Sequence, residues 1–364
     1  MQTQPEFRLL VVRLGAMGDI LHALPALTAL RVAHPGWVID WVVEPRWRAL
    51  LAASDSRGRD TAGPSARQPL VDTLHPAATR DWRRRPASRA TLLAIRGLRT
   101  SLRGGAYDAV LDLQGALRSA VISRMAASGR IIGEAAPRER AARWLFTERV
   151  ATQGVHVIEQ DIELASAVVG DVLAPVLPAL PVDAEAETWA DGFLQGSASG
   201  SVVLLNPGAG WGAKRWPIDR YIFVAAELIK DGHRIFVNVG PGERELAEAL
   251  VKRTGSSSTS FSGSLDQLIA LTRRVALVIA GDTGPLHLAC ALGRPVVGIY
   301  GPTDPARNGP FGTQFRVLRS PQSRRDHTRR AAPEAGLLTI QFGQVLEAAR
   351  ELLYPDTARN MPDD

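Results

Sequence analysis

Cysteine is almost absent from this chain, whose 364 residues include only Cys290. One cysteine cannot form a disulfide within the chain, which disfavours a small secreted protein held together by disulfides. No apolar run reaches the roughly 18 residues that a membrane-spanning helix needs. Residues 1–6 contain no basic segment leading into an apolar one, so we expect no signal peptide. These absences favour a cytoplasmic protein. The length of the chain favours two globular domains, because 364 residues are too many for one ordinary core.

Lysine is also scarce. Of 43 basic residues, only Lys214, Lys230 and Lys252 are lysines, and the net charge of +6 is modest for this length. The excess of arginine is typical of a GC-rich genome. A position that nevertheless holds lysine is a candidate for a role that needs a compact ammonium group instead of a planar guanidinium.

Three motifs of other nucleotide-binding classes are incomplete or missing. The turn at residues 15–18 lacks the third glycine of the dinucleotide fingerprint, which argues against an NAD-type oxidoreductase. In the loop 206–217 a Gly-x-Lys sequence is not followed by the Ser or Thr of a phosphate-binding P-loop. The chain also has no Asp-x-Asp motif, which binds a divalent metal in some enzymes that use nucleotide substrates.

Short apolar runs that end at glycine turns occur in both halves of the chain, which is typical of parallel strands in α/β proteins. A helix is predicted after the first run of each half, and each half then resembles a Rossmann-like domain. The predicted strands are 9–12, 38–43, 109–113, 202–205, 234–239, 276–280 and 296–300, and the predicted helices are 19–32 and 221–231.

The domain prediction follows from these repeats. We predict an N-terminal domain over 1–180, a Pro-, Gly- and Ser-rich linker over 181–200 and a C-terminal domain over 201–335. A final helix over 336–353 is expected to pack back on the N-terminal domain. The polar stretch 53–68 is predicted to be a mobile surface insertion.

The turn 281–287 is the strongest candidate for binding an anion. Asp282 stands where a helix N-cap is expected, and the N–H groups of Thr283 and Gly284 then point out of the sheet edge towards a diphosphate. His287 lies on the same helical face as Thr283. A plain helix cap with a packing histidine remains the alternative.

Two further sites carry charges at expected strand ends. Lys214 and Arg215 close the glycine-rich loop 206–217 and are placed to meet phosphates, unless the loop is simply solvated. Asp19 follows the first glycine turn and is a candidate general base, which can contribute about 10²–10⁴ in rate. The alternative for Asp19 is a cap of the helix that follows.

Arginine is concentrated between residues 80 and 103. We expect the helix 89–103 to bury one apolar face and to present arginines on another. This pattern indicates either a solvated face or a site for an anionic acceptor or an anionic membrane surface. The residues expected on the buried face are Leu92, Ile95, Leu98 and Leu102, and those on the basic face are Arg89, Arg96 and Arg103.

In combination, these motifs resemble those of the glycosyltransferase family 9 heptosyltransferases, over roughly residues 8–353. The matching segments are 13–19, 206–217, 281–287 and 300–305. The resemblance implies a GT-B fold, in which two Rossmann-like domains face each other across a cleft. It also implies inverting transfer of L-glycero-D-manno-heptose from ADP-heptose to a Kdo sugar of the lipid A inner core. No cofactor or metal is expected, and the enzyme is expected to be peripheral on the cytoplasmic face of the inner membrane.

The resemblance also assigns roles to individual residues. Asp19 matches the proposed catalytic base, and the basic tract Arg83, Arg84 and Arg85 lies where the family faces its phosphorylated acceptor. The stretch 53–68 departs from the family pattern. The residues implied to bind the donor are Lys214, Asp282, Thr283, Gly284, His287, Gly18, Met17 and, by a looser match near the ribose, Glu243.

Several alternatives stay open at this point. Within the family, the likeness is greatest to heptosyltransferases I, but heptosyltransferase II or a member with another sugar or acceptor fits the same motifs. A nucleotide-sugar-binding protein that has lost transfer is a non-enzyme alternative. The presence of Asp19 argues against it.

Overall fold

The computed structural model describes residues 7–54, 65–195, 200–240, 242–326, 328 and 330–355. The chain divides into two compact units, Met1–Asp183 and Ala184–Asp364. Each unit contains one six-stranded parallel sheet. Parallel strands need crossover connections, and helices supply most of them here.

The N-terminal unit has the strand order β3-β2-β1-β4-β5-β6. Its core strands are short and apolar because both faces of the sheet are covered. The elements are β1 (Arg8–Val12), α1 (Met17–Ala33), β2 (Val38–Val43), β3 (Thr73–Pro76), α2 (Thr79–Arg84), α3 (Arg89–Gly104), β4 (Ala109–Asp112), α4 (Leu117–Met125), β5 (Ile131–Glu134), β6 (Glu148–Val150) and α5 (Val157–Val169), with 3-10 turns at Pro45–Leu50 and Arg140–Leu145.

The C-terminal unit has the order β9-β8-β7-β10-β11-β12, which is the same winding as in the first unit. Both sheets therefore have the Rossmann strand order, as the sequence predicts. The elements are α6 (Ala184–Gln195), β7 (Val202–Asn206), α7 (Ile218–Lys230), β8 (Arg234–Asn238), α8 (Arg244–Thr254), β9 (Ser258–Phe261), α9 (Leu265–Thr272), β10 (Leu277–Gly281), α10 (Gly284–Ala291), β11 (Val296–Tyr300), α11 (Pro305–Asn308), β12 (Phe315–Arg319) and α12 (Phe342–Leu353), with 3-10 turns at Gly212–Lys214, Gly255–Ser257 and Leu337–Thr339.

Two features of the domain prediction need correction. The predicted linker contains α6, which buries Ala186 and Ala190 against α9. A helix forms there because small apolar residues recur every four positions among acidic ones. The C-terminal helix α12, which we predicted to pack on the N-terminal domain, buries Val345 and Ala349 in the core of the C-terminal unit. Its apolar face complements α7 and the strands beneath it.

The predicted insertion 53–68 is only partly described, because residues 55–64 lie outside the described residues. At its ends Ala53 and Gln68 are buried, whereas Ser54 and residues 65–67 are exposed. Ala53 is buried and its N–H donates to the Arg67 carbonyl over 2.8 Å. The Gln68 amide is buried and donates to the carbonyls of Val71 and Asp72. These hydrogen bonds to backbone carbonyls connect both ends of the stretch to the N-terminal unit.

The strand order places one switch point in each sheet, where the chain winds in opposite directions from two adjacent strands. In the N-terminal unit these strands are β1 and β4, and in the C-terminal unit they are β7 and β10. Ligands of such sheets bind beyond the carboxyl ends of the switch-point strands. The glycine turns singled out in the sequence lie at these strand ends.

Candidate functional site

The switch point of the C-terminal unit brings together the two loops predicted to bind the donor. Asn206 at the end of β7 pairs in register with Ala280 of β10. The loop after β7 leads to Lys214, and the turn after β10 leads to Asp282. Parallel neighbours end at the same sheet edge, which explains why residues 68 positions apart meet here.

A buried charge cluster joins the two loops. The Lys214 ammonium donates to Asp282 Oδ2 over 2.5 Å and to the Asp282 carbonyl over 3.2 Å. His287 Nε2 lies 3.0 Å from the other carboxylate oxygen, Asp282 Oδ1. Burial raises the pKa of the Asp282 carboxyl, but His287 and Lys214 lower it more, so that this pKa lies well below its usual range. The carboxylate is therefore ionised at neutral pH and holds both partners.

Helix α10 begins directly beside this cluster. The sequence predicted Asp282 as the N-cap of this helix, but the N-cap is Thr283. The Asp282 carboxylate does not cap the helix because it pairs with Lys214 and His287. The Thr283 hydroxyl donates to the Gly281 carbonyl over 3.2 Å. Gly284 and Pro285 form the first turn, where the helix dipole favours an anion. The Lys214 ammonium and the N-terminus of α10 thus lie at the same edge of the sheet, beyond the neighbouring strands β7 and β10.

Two asparagines that were not singled out as site residues connect this turn to the next strands. Asn238 at the end of β8 donates its amide to Asn206 Oδ1 over 2.6 Å. Asn206 in turn donates to the Thr283 hydroxyl over 3.3 Å and to the Gly208 carbonyl over 3.0 Å. The sequence signal that could have identified them is an asparagine at the end of each of two apolar strands, two residues before a glycine.

Glu243 lies against the loop after β7. Its carboxylate accepts from the Gly240 N–H over 2.9 Å. A Cβ atom at Gly208 would lie only 1.9 Å from this carboxylate, so a side chain at position 208 would displace Glu243. Glu243 is therefore held between the glycine loops after β7 and β8, in the same unit as Lys214.

The predicted base Asp19 lies in the first turn of α1, at the switch point of the N-terminal unit. Its Oδ2 accepts from the Ala16 N–H over 2.8 Å, so Asp19 does cap its helix. Its Oδ1 lies 3.5 Å from Arg13 Nη2, and the side chain is 39 % exposed. The capping contact uses one oxygen and leaves the carboxylate accessible. Met17 is buried and Gly18 half-buried in the same turn.

The turn before Asp19 is held by a second loop. Gln114, after β4, accepts from the Leu14 N–H over 2.9 Å and donates to the Gly15 carbonyl over 3.1 Å. Gly15 has a φ of +147°, and a Cβ there would lie 2.7 Å from Trp47 Nε1. Position 15 therefore requires glycine. These contacts are tertiary, so the sequence did not single out Gln114.

Asp112 supports Gln114 from within the core. Its Oδ1 accepts from the N–H groups of Gln114 and Gly115, both over 2.9 Å. The Ser119 and Ser123 hydroxyls also donate to its carboxyl group. Burial raises the pKa of Asp112 to about 6, despite the hydrogen bonds that favour the ionised form.

The predicted acceptor arginines lie on the surface of the N-terminal unit. Arg83 and Arg84 end α2, and Arg85 is its C-cap. All three are exposed, and the Arg84 guanidinium lies 3.9 Å from the Asp81 carboxylate. The start of α2 is fixed by Glu44, whose Oε1 accepts from the Arg80 N–H over 3.2 Å. The carboxyl end of β3 thus carries a solvated cationic segment.

The part of the chain that the structure describes contains neither a metal-binding cluster nor a membrane-spanning helix. Among the ranges given above, no three His, Cys, Asp or Glu side chains are grouped so that they could hold a metal ion. No helix in that part of the chain is both long and apolar enough to cross a membrane.

Comparison with known families decides the class of this protein and its fold. The model of glycosyltransferase family 9 (heptosyltransferase) matches residues 95–337, about two thirds of the chain. The chain belongs to glycosyltransferase family 9. It is therefore a glycosyltransferase, and the resemblance seen in the sequence is confirmed.

Individual relatives of this family 9 enzyme agree. Lipopolysaccharide heptosyltransferase 1 of Escherichia coli K12 is 29 % identical over 336 residues, which cover 86 % of this chain and 94 % of the relative. The structure of E. coli heptosyltransferase WaaC with ADP has a TM-score of 0.77 at 27 % identity, covering 95 % of this chain and all of that one. E. coli ADP-heptose lps heptosyltransferase II, at 22 % identity, a TM-score of 0.75 and coverage of 96 % and 100 %, supports the fold alone. The GT-B fold is confirmed.

The raised pKa of Asp112 predicts a pH-dependent stability. A folded-state pKa of about 6, above the ordinary value of 3.8, means that the contribution of this group is fully present below about pH 4. It is lost as pH rises through about 6. Asp112→Asn cannot ionise, so its free energy of unfolding relative to that of the native chain should increase by about 2 kcal/mol between about pH 4 and about pH 7.5.

Urea unfolding of both proteins at about pH 4 and about pH 7.5 measures this difference. Asp171→Asn, at an exposed position, is the control. A stability difference between Asp112→Asn and the native chain that is the same at both pH values would contradict the role of burial.

Proposed function

We propose that this family 9 enzyme transfers L-glycero-D-manno-heptose from ADP-heptose to a Kdo sugar of the lipid A inner core, with inversion at the anomeric carbon. The observation that carries the proposal is the Lys214–Asp282–His287 cluster beside the N-terminus of α10. It provides a cation and oriented N–H groups for the diphosphate of a nucleotide sugar. The relative named lipopolysaccharide heptosyltransferase 1 and the WaaC structure with ADP support this donor class.

The donor half of the proposal uses the C-terminal unit. Lys214 and the Thr283–Gly284 N–H groups stabilise the negative charge that grows on the departing ADP. Asp282 and His287 act through Lys214, because the carboxylate fixes the ammonium position. Glu243 is assigned to the ribose. Met17 and Gly18, in the first turn of α1, are further donor contacts in this proposal.

The acceptor half uses the N-terminal unit. Asp19 accepts the proton of the attacking Kdo hydroxyl while that oxygen forms a bond to heptose C1. The bond from C1 to the diphosphate oxygen breaks on the opposite face, and ADP leaves with its electron pair. Arg83, Arg84 and Arg85 bind the anionic groups of the acceptor. No cofactor or metal is required in this scheme, since side-chain cations and N–H groups carry the charge.

The acceptor is a lipid, so we also propose that the enzyme works as a peripheral protein on the cytoplasmic face of the inner membrane. The acidic sugars and phosphates of such an acceptor match the arginine-rich surface of α2.

The direct test is a transfer assay with ADP-heptose and two acceptors, Kdo-lipid A and heptosyl-Kdo-lipid A. We expect heptose to appear on Kdo-lipid A. Transfer only to heptosyl-Kdo-lipid A would instead assign the activity of heptosyltransferase II. Binding of ADP-heptose without transfer to either acceptor would contradict the enzyme reaction as proposed.

The assignment of Asp19 predicts a separation of catalysis from binding. Asp19→Asn retains the shape of the side chain and an oxygen that can accept from Ala16, but it cannot take a proton. We expect kcat to fall by about 10²–10⁴ with donor affinity unchanged. Steady-state kinetics and calorimetric titration with ADP measure the two quantities. The matched control is Asp219→Asn, whose carboxylate is exposed on α7, and a near-native kcat in Asp19→Asn would rule out the base.

A further inference from the structure

One face of the N-terminal sheet is covered by a single layer of helical elements. It consists of α2, α3, α4 and the turn Arg140–Leu145. Leu98 and Leu102 of α3, Ile122 of α4 and Ala142 of the turn are buried in the same core cluster, together with residues of β1 and β4. The outward side of this layer is therefore one continuous part of the surface of this unit.

Helix α3 does not present an ordinary polar outer face. The sequence predicts Leu92 on the buried face, but the structure corrects this: Leu92 is 58 % exposed and Leu93 is 57 % exposed. At 100° per residue Leu92 lies about 60° further round the helix than Ile95, beyond the buried face. Six outer residues, two leucines and four arginines, share a sector of about 120° that also contains Thr100, and three of the arginines lie between the two leucines. The six residues are Arg89, Leu92, Leu93, Arg96, Arg99 and Arg103.

The same composition continues on the neighbouring elements. On α4, Leu117 and Val121 are each 44 % exposed and lie one helical turn apart. On the turn, Trp144 is 66 % exposed. The guanidinium groups of Arg143 and Arg149 lie 4.7 and 5.7 Å from its ring centre. Single exposed apolar residues are ordinary, but five on one basic layer form a surface that fits an apolar partner.

The charged side chains of this layer are almost all positive. Its four elements contain 11 arginines and a single acidic residue, Asp81. The arginine side chains of α3 and α4 make no hydrogen bond or ion pair with any residue that the structure describes, so their donors remain available to a ligand. The neighbouring Glu139 is engaged with the Leu117 N–H over 2.9 Å. A surface that combines free guanidinium groups with exposed apolar side chains fits a partner whose negatively charged groups lie next to an apolar layer.

We propose that the α3 surface, defined as the six outer residues of α3 extended by Leu117, Val121 and Trp144, docks on an anionic phospholipid bilayer. The arginines contact lipid phosphates, and the leucines and tryptophan enter the boundary between headgroups and acyl chains. An acidic soluble protein or a nucleic acid would match the arginines but leave the paired leucines without a role. The inference rests on the proposed lipid acceptor and goes beyond it by naming the surface.

The experiment is sedimentation of the full chain with vesicles, without donor or acceptor. Vesicles of equal parts phosphatidylcholine and phosphatidylglycerol are compared with vesicles of phosphatidylcholine alone. Leu92→Ser/Leu93→Ser tests the apolar contact. A second variant, with Arg89, Arg96, Arg99 and Arg103 all changed to Gln, tests the charge. Val172→Ser/Leu177→Ser is the matched control, since both residues are exposed in the same unit but lie outside the layer.

We expect the native chain to bind the anionic vesicles and not phosphatidylcholine alone. Both test variants should partition at least about tenfold more weakly, while the control double variant binds as the native chain does. Unchanged binding of both test variants would overturn the proposal. A native dimer that Leu92→Ser/Leu93→Ser dissociates in gel filtration would also overturn it, by showing that a second copy covers the surface.

A parallel assay separates this result from the proposed function. Transfer to a deacylated, water-soluble Kdo acceptor should stay within about twofold of native in Leu92→Ser/Leu93→Ser, because no bilayer is involved. Transfer to the same acceptor embedded in anionic vesicles should fall with the binding. If the native chain transfers heptose to neither acceptor, the proposed function fails, whereas the vesicle measurement still decides the docking surface.

Discussion

The buried ion cluster of Asp282 is the interaction on which the rest of the proposed donor site depends. A carboxylate this deeply buried is tolerated only with charged or hydrogen-bonding partners on its oxygens, and Lys214 and His287 provide them. Because the cluster joins the loops after β7 and β10, it also fixes where α10 begins. The Asn206 amide then reaches the N-cap hydroxyl of Thr283. Removing one partner would leave a buried charge, which makes this a constraint on folding as well as on binding.

The N-terminal unit differs from the C-terminal unit in how the corresponding turn is held. The strand order and switch point are the same, but the turn after β1 is held by the Gln114 amide, with Asp112 beneath it. Asp19 is consequently left partly exposed, with one carboxylate oxygen facing Arg13. A charge cluster that is locked in place suits the binding of a diphosphate, whereas an accessible carboxylate suits proton transfer. The two similar turns therefore have different chemical capacities.

Much of this architecture could be predicted from short apolar strands that end at glycine turns. The scarcity of lysine drew attention to Lys214, which the structure places in the buried cluster, whereas Lys230 pairs with Glu227 at the surface. Other features depend on tertiary contacts that local patterns do not contain. Gln114 meets Gly15 across 99 positions. Asp282 is not the N-cap because distant partners take its carboxylate, and α6 was missed because its acidic composition resembled a linker.

The central claim is that Asp282 acts on the donor through Lys214. A double-mutant cycle with Lys214→Met and Asp282→Asn, read out as the calorimetric Kd for ADP, tests it most directly. If the carboxylate serves to hold the ammonium against the diphosphate, each single variant weakens ADP binding by about 10-fold or more, and the second substitution adds little to the first. Independent losses whose free energies simply add in the double variant would contradict the account.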